Sequence, residues 1–174
     1  MSKSAGGSLF PKSSVLGLAP EGWPIVDEGL VMPFIDRILL VRFDAHLTPR
    51  AFDHYRAEWL RSVDARGPHT RVVAFYDIPS FAGFTARQRK EMAEMLKSRE
   101  EILRETTVAM ALATPSPLVR GVLRAVYWLA PPPFDYAVVG RCEEALTFLA
   151  EKMPTLDPRR CENAYAELRR RHAV

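Results

Sequence analysis

The apolar residues of this chain occur in two patterns, short unbroken runs and stripes at helical spacing. Short unbroken runs are typical of strands that are covered on both faces, as in a parallel sheet with helices on either side. Stripes at three- and four-residue spacing predict helices that bury one face. The predicted strands are a broken one within residues 24–34 and continuous ones at 38–43, 72–76, 108–113 and 134–139.

Capping residues mark where the helices between these strands begin. A hydroxyl or carboxylate side chain just before the first turn satisfies backbone N–H groups there, and Pro is favoured at the first helical position. A further helix is expected over residues 141–153. The predicted starts are Thr48-Pro49, Thr85 with Gln88 as a capping box, Ser116-Pro117 and Asp157-Pro158.

Two of the predicted helices carry a stripe of apolar residues that is expected to face the core. The first begins at Thr85 and is expected to continue to about Glu105, and the second begins at Pro117. The predicted inward residues are Met92, Met95, Leu96, Ile102 and Leu103 in the first helix, and Leu118, Val119, Val122, Leu123, Val126 and Leu129 in the second.

The element order ββαβαβαβα, followed by one extra surface helix, predicts an α/β fold. Strands separated by helices indicate a mostly parallel sheet, and the first two strands are close enough in sequence to form an antiparallel edge pair. We expect a flexible tail over residues 1–24, one domain over 25–153 and an accessory helix over 154–174.

Composition indicates an ordinary globular domain. Of 174 residues, 48% are hydrophobic, and 24 basic residues against 21 acidic ones give a net charge of only +3. Nucleic-acid binding is therefore not expected. No signal peptide or membrane-spanning run is visible, so a cytoplasmic protein is expected. Cys142 and Cys161 match no metal or redox spacing and are predicted to be free thiols.

No catalytic signature is present. The chain contains no nucleophile elbow, P-loop or dinucleotide glycine fingerprint, and its four histidines lack ligand spacing. A non-enzymatic protein without cofactor or metal is the expectation.

Two sets of residues are candidates for binding. Strand carboxyl ends form a crevice in open α/β sheets, where an anion or small ligand could bind. Purely structural roles are the alternative. Asp77 could cap backbone N–H groups of its own loop, and Arg120 and Arg124 could be solvated. Thr85, at the start of the next helix, could serve only as a helix cap. The candidate crevice residues are Asp77, Ser80, Thr114, Ser116 and Arg120.

The second set is a candidate face for a protein partner. The adjacent aromatic residues Tyr127 and Trp128 lie at a helix end and are followed by prolines at 131–133. Such an arrangement can present an apolar patch to a partner, but both rings could equally cover the sheet edge. The candidate face contains Ser80, Phe81, Phe84, Arg87, Arg120, Arg124, Tyr127 and Trp128.

Three segments carry a family resemblance. They are the strand that ends at Asp77 with the aromatic-glycine loop at 81–84, the strand 108–113 leading into Ser116, and the closing strand 136–139 with its Glu-Glu-Ala-Leu-Thr-Phe-Leu helix at 143–149. Together they resemble the STAS-like fold of anti-sigma-factor antagonists, and more closely the bacterial domains described as STAS/SEC14-like.

The resemblance implies a regulatory module in a bacterial cytoplasm that acts by binding a protein partner, with a homodimer as a further option. Phosphoregulated antagonists carry an Asp-Ser-Ser/Thr-Gly segment, whereas residues 77–83 here read Asp-Ile-Pro-Ser-Phe-Ala-Gly. Ser80 and Thr85 are the hydroxyls nearest to the phosphoacceptor position. Small-ligand or anion binding in the crevice remains the alternative function.

Overall fold

A computed structural model describes residues 30–31, 34–35, 37–43, 47–79, 84–129 and 131–171 of the chain. The predicted tail at 1–24, and with it most of the broken strand at 24–34, lies outside the described residues. So do Ser80 and Phe81 of the two candidate sites.

Four parallel strands form the body of the sheet. They follow two short strands, β1 and β2, which each pair antiparallel with β3 over two residues. The spatial order is β1-β3-β4-β5-β6, so β6 lies at one edge. The strands are β1 (Leu30–Val31), β2 (Phe34–Ile35), β3 (Ile38–Phe43), β4 (Val72–Asp77), β5 (Thr107–Ala113) and β6 (Asp135–Val139).

Four helices begin at the predicted caps. The N–H of Ala51 donates to Thr48 Oγ1 at 3.1 Å, and Thr85 and Gln88 form the reciprocal capping box. Ser116 Oγ accepts from the N–H of Val119 at 3.3 Å. The helices are α1 (Pro49–Asp64), α2 (Ala86–Ser98), α3 (Glu100–Thr106), α4 (Pro117–Leu129), α5 (Cys142–Lys152) and α6 (Pro158–Arg171).

Helices cover the sheet on both faces, as the unbroken apolar runs predict. Alternate side chains of β3, β4 and β5 point to opposite sides, so each strand contributes to two separate cores. On one face Leu39, Ala74 and Met110 pack with α1 and with residues of α2, α3 and α4. On the other face Leu40 and Phe75 pack with α5 and α6.

The predicted long helix from Thr85 to Glu105 is two helices. Arg99 interrupts it with φ −125° and ψ 15°, outside the helical region. The Arg99 guanidinium pairs with Asp64 at the end of α1, at 2.5 and 3.0 Å. The apolar residues of α2 and those of α3 therefore need not lie along one continuous helix face. Met95 and Leu103 are buried as predicted, but Leu96 is 43% exposed and its inward assignment was wrong.

The predicted core face of α4 was also wrong in part. Leu123 and Tyr127 pack against the core, whereas Leu118, Val122 and Val126 are 78%, 56% and 50% exposed. Residues of α4 are apolar on almost every side, so periodicity could not identify the inward face. α4 packs beside the edge strand β6 and therefore buries only one side.

Candidate functional site

Asp77 lies at the carboxyl end of β4 in a row of paired residues. The register places it beside Arg42 of β3, with both side chains on the face covered by α5 and α6. Arg42 Nη1 donates to Asp77 Oδ2 at 2.9 Å. Only 4% of Asp77 is exposed, so the ion pair compensates for removing the carboxylate from water.

Two helices supply the remaining described partners of this carboxylate. Cys142, the first residue of α5, points its thiol at Asp77 Oδ1 across 3.6 Å. Tyr165 of α6 donates its hydroxyl hydrogen bond to Asp77 Oδ2, and the Cys142 thiol lies 3.4 Å from the same phenol oxygen. Four elements that are distant in sequence therefore converge on one buried carboxylate.

Burial keeps the neighbouring titratable groups protonated. It raises the pKa of the Cys142 thiol to about 11, with a smaller opposing effect from the hydrogen bond to Tyr165. Burial and the bond to Asp77 likewise raise the pKa of the Tyr165 phenol well above its usual value. A thiol with a raised pKa forms little thiolate at neutral pH. The bond from Tyr165 to Asp77 attaches α6 to the strand ends.

The other described crevice residues lie at or near the start of α4, where the side chains of Ser116 and Arg120 bind backbone groups. Arg120 Nη1 donates to the carbonyls of Thr114 and Pro115 at 2.8 and 2.9 Å. Ser116 caps the helix, as described above. Thr114 is fully buried, and its Oγ1 has no hydrogen-bond partner within the described part of the chain. The described contacts join Asp77 to Arg42, Cys142 and Tyr165, and they do not join it to Ser116 or Arg120.

The candidate partner face is divided between core and solvent. Phe84 is half-buried against Phe43 and Phe52, with ring centroids 6.0 and 5.9 Å apart. The Tyr127 ring lies 5.0 Å from that of Tyr136, and burial raises its pKa above the usual value. Both aromatic rings are therefore part of the packing.

Three other described members of that face, Arg87, Arg124 and Trp128, lie at the surface. Trp128 is 81% exposed, and Arg87 is exposed while paired with Glu91 at 2.6 Å. Arg124 Nη2 donates to the carbonyl of Val138 at 2.9 Å. Tyr127 and Trp128 are adjacent but have different environments, so of these two rings it is Trp128 that is accessible to a partner.

Arg124 covers a backbone group at the edge of the sheet. The Val139 carbonyl accepts from the N–H of Thr114, so it points toward β5. Carbonyls of successive residues in a strand point in opposite directions, so that of Val138 faces the outer edge of β6. An arginine bound there hinders the addition of another strand.

Sequence reasoning missed the most exposed apolar surface of the described residues, which lies on α4. Leu118, Val122 and Val126 are four residues apart and share one side of the helix with Gly121 and Ala125. We call these five residues the α4 stripe. A signal was present in the sequence, because the helix is apolar at every position except Arg120 and Arg124 and contains no acidic residue.

The structure is similar to a solved crystal structure whose fold is known. That protein is an uncharacterized member of the DUF3478 family with a SpoIIAA-like fold, from Shewanella loihica PV-4. The two chains are 14% identical, and the match covers 70% of this chain and 92% of the other with a TM-score of 0.54. This chain has a SpoIIAA-like fold. A sequence identity this low shows the fold alone. The structural similarity therefore confirms the STAS-like resemblance for the fold and not for the function.

Other comparisons add no further identification to the SpoIIAA-like fold. No family model matches the sequence, and no curated protein is significantly similar to it. Among the described residues, no group of three or more His, Cys, Asp or Glu side chains could hold a metal ion. None of the described helices is both long and apolar enough to cross a membrane.

Replacing Tyr165 with Phe tests whether the Asp77 cluster fastens α6. The change keeps the ring but removes a hydrogen bond to a charged acceptor, which we expect to lower the free energy of unfolding by about 1.5–3 kcal/mol. Urea unfolding measures the loss. Tyr136→Phe is the control, because its hydroxyl forms no hydrogen bond within the described residues. Equal, small losses for both variants would contradict the role given to Tyr165.

Alkylation of Cys142 tests the environment of its thiol. A Cys161→Ala variant leaves Cys142 as the thiol that is measured. A pKa of about 11 for Cys142, in place of the ordinary 9.0, leaves ~100-fold less thiolate at pH 8. A thiolate of higher pKa is intrinsically more nucleophilic, which offsets part of this difference. Iodoacetamide should therefore react roughly tenfold more slowly, or slower still, with the folded chain than with the urea-unfolded chain. The folded rate should keep rising above pH 9, where the unfolded rate levels off.

The same raised pKa has a consequence for stability. The folded state holds the Cys142 proton more tightly than the unfolded state does. The contribution of this thiol to the free energy of unfolding is therefore complete below pH 9 and is lost as the pH rises through about 11.

In the alkylation experiment, a folded-state rate that levels off near pH 9 would show that the Cys142 thiol is not shielded. A Cys142→Ala variant gives the background reaction of Cys161.

Proposed function

We propose that this chain is a regulatory protein-interaction module that docks a partner on the α4 stripe. The observation that carries the proposal is the exposure of Leu118, Val122 and Val126. Large aliphatic side chains aligned along one helix are ordinarily packed against something, since full burial of each contributes roughly 1.5–3 kcal/mol. A continuous apolar stripe in water is typical of a binding surface.

The arginines of α4 leave the stripe free of charge. At about 100° of rotation per residue, Arg120 and Arg124 lie on the side of the helix away from Val122. Their guanidinium groups bind the carbonyls of Thr114, Pro115 and Val138. No charged side chain of α4 itself therefore interrupts the apolar surface between Leu118 and Val126. A partner helix with one apolar face has the chemistry to cover it.

The fold is consistent with a non-enzymatic role. STAS-like domains of anti-sigma-factor antagonists act through protein contacts, and we extend that class of function, in a bacterial cytoplasm, to this chain. The contacts give less support to ligand or anion binding at the strand ends. Arg120 already donates to two carbonyls, and the Asp77 carboxylate already has three side-chain partners.

Affinity capture from a lysate of the source cells tests the proposal. Val122→Glu places a charge in the centre of the stripe, where the wild-type side chain is already more than half exposed, so the fold should be retained. We expect the wild type to recover a stoichiometric protein and Val122→Glu to lose it, because docking would bury an unpaired carboxylate.

Leu96→Glu is the matched control. It makes the same kind of change at an exposed leucine of α2, outside α4, and should recover the partner as the wild type does. Circular dichroism and urea unfolding establish that both variants fold. Recovery that is unchanged in Val122→Glu, or lost equally in Leu96→Glu, would remove the α4 stripe as the docking surface.

A further inference from the structure

We infer that the amino ends of β4 and β5 form a binding site for a phosphate group, with Arg66 as its central cation and Arg71 beside it. This site is separate from the α4 stripe. It is also separate from the Asp77 cluster, which lies at the other end of the six-residue strand β4, about 17 Å away. Its centre is a buried positive charge that no carboxylate of the described residues neutralises.

The Arg66 guanidinium is held on one side and open on another. The residue follows the end of α1, and only 9% of it is exposed. Its Nη1 donates to the hydroxyl oxygens of Thr106 and Thr107, at 3.3 and 3.0 Å. Its Nε is buried and has no acceptor within the described residues. Nη2 has no acceptor there either, but unlike Nε it reaches solvent, so its N–H groups are available to a ligand.

A guanidinium in this environment destabilises the folded state unless an anion compensates for it. Arginine is rarely buried without a paired carboxylate, because its charge is removed from water. Burial accordingly lowers the pKa of Arg66 to about 10. Glu105, which directly precedes the two threonines, is exposed and forms no ion pair within the described residues. An anion at Nη2 supplies the missing negative charge.

A second arginine binds the same short segment. Arg71, the residue before β4, donates from Nη1 to the carbonyl of Glu105 at 3.0 Å. Arg66 binds the next two residues, Thr106 and Thr107. Both cations are therefore attached to three consecutive residues where α3 ends and β5 begins. Arg71 is exposed and has no ion pair within the described residues, so it can add donors to a ligand held by Arg66.

The charge and the donors of this site fit a phosphate group. A phosphate monoester carries roughly 1.5 to 2 negative charges at pH 7, which balances two arginines, whereas a carboxylate balances only one. Guanidinium N–H groups also match the spacing of phosphate oxygens. Thr106 donates its hydroxyl hydrogen to the Ile102 carbonyl at 2.7 Å. The hydroxyl hydrogen of Thr107 has no acceptor within the described residues, so it is a further donor.

An NMR titration of the full ¹⁵N-labelled chain with inorganic phosphate, at constant pH and ionic strength, tests the inference. We expect saturable changes in the amide chemical shifts of Arg66, Arg71 and residues 105–107, all fitting one dissociation constant. A parallel titration with glycerol 3-phosphate distinguishes a phosphorylated small molecule, which then binds as tightly or more tightly, from the free ion, which alone binds if the ester group does not fit.

Three variants identify the cations responsible. Arg66→Met removes the buried charge and should raise the dissociation constant by about tenfold or more, because charge-assisted hydrogen bonds to phosphate are lost. Arg71→Gln should raise it by a smaller factor, and the exposure of Arg71 means that the fold should be retained. Arg104→Met is the matched control. It removes an exposed charge of α3 that pairs with Glu100 at 2.6 Å, and should bind phosphate as the wild type does.

Three outcomes would overturn the inference. The first is a wild type without saturable changes at residues 105–107. The second is a dissociation constant that Arg66→Met and Arg71→Gln both leave unchanged, which would make Arg66 a purely structural link between α1 and β5. The third is an equal loss in Arg104→Met, which would indicate general attraction to a positive surface. If Arg66→Met does not fold, the comparison of Arg71→Gln with Arg104→Met decides.

Discussion

A parallel sheet with apolar strands must be covered on both faces, and the rest of this structure depends on that constraint. Side chains of β3, β4 and β5 are buried on each side. One face is covered by α1 to α4 and the other by α5 and α6. Asp77 lies where the second cover reaches the strand ends, and its bonds to Arg42 and Tyr165 connect sheet and outermost helix.

At the edge of the sheet the covering of apolar surface is incomplete. Among the described strands β6 has a neighbour on one side only. The helix α4 beside it buries Leu123 and Tyr127, while its other side faces water. Arg124 blocks the strand edge but leaves the apolar helix face open. This combination discourages strand addition and permits helix docking, which is why we propose α4 as the recognition surface.

Local chemistry made much of the fold predictable. The caps at Thr48, Thr85 and Ser116 act within three residues, and continuous apolar runs identified the parallel strands. The partners of Asp77 were not predictable, because they come from 35, 65 and 88 residues away. The orientation of α4 was hidden for a different reason: a helix that is apolar on nearly all sides offers no pattern from which to choose its inward face.

Carbene footprinting of the purified chain tests most directly the claim that α4 turns its apolar stripe to water. Diazirine-derived carbenes insert into accessible C–H bonds, and mass spectrometry locates the modified residues. We predict several-fold more label on Leu118, Val122 and Val126 than on Ala145, Leu146 and Leu149 of α5, which are buried. Equal, low labelling of both sets would mean that the stripe is packed inward, and that no docking surface exists on α4.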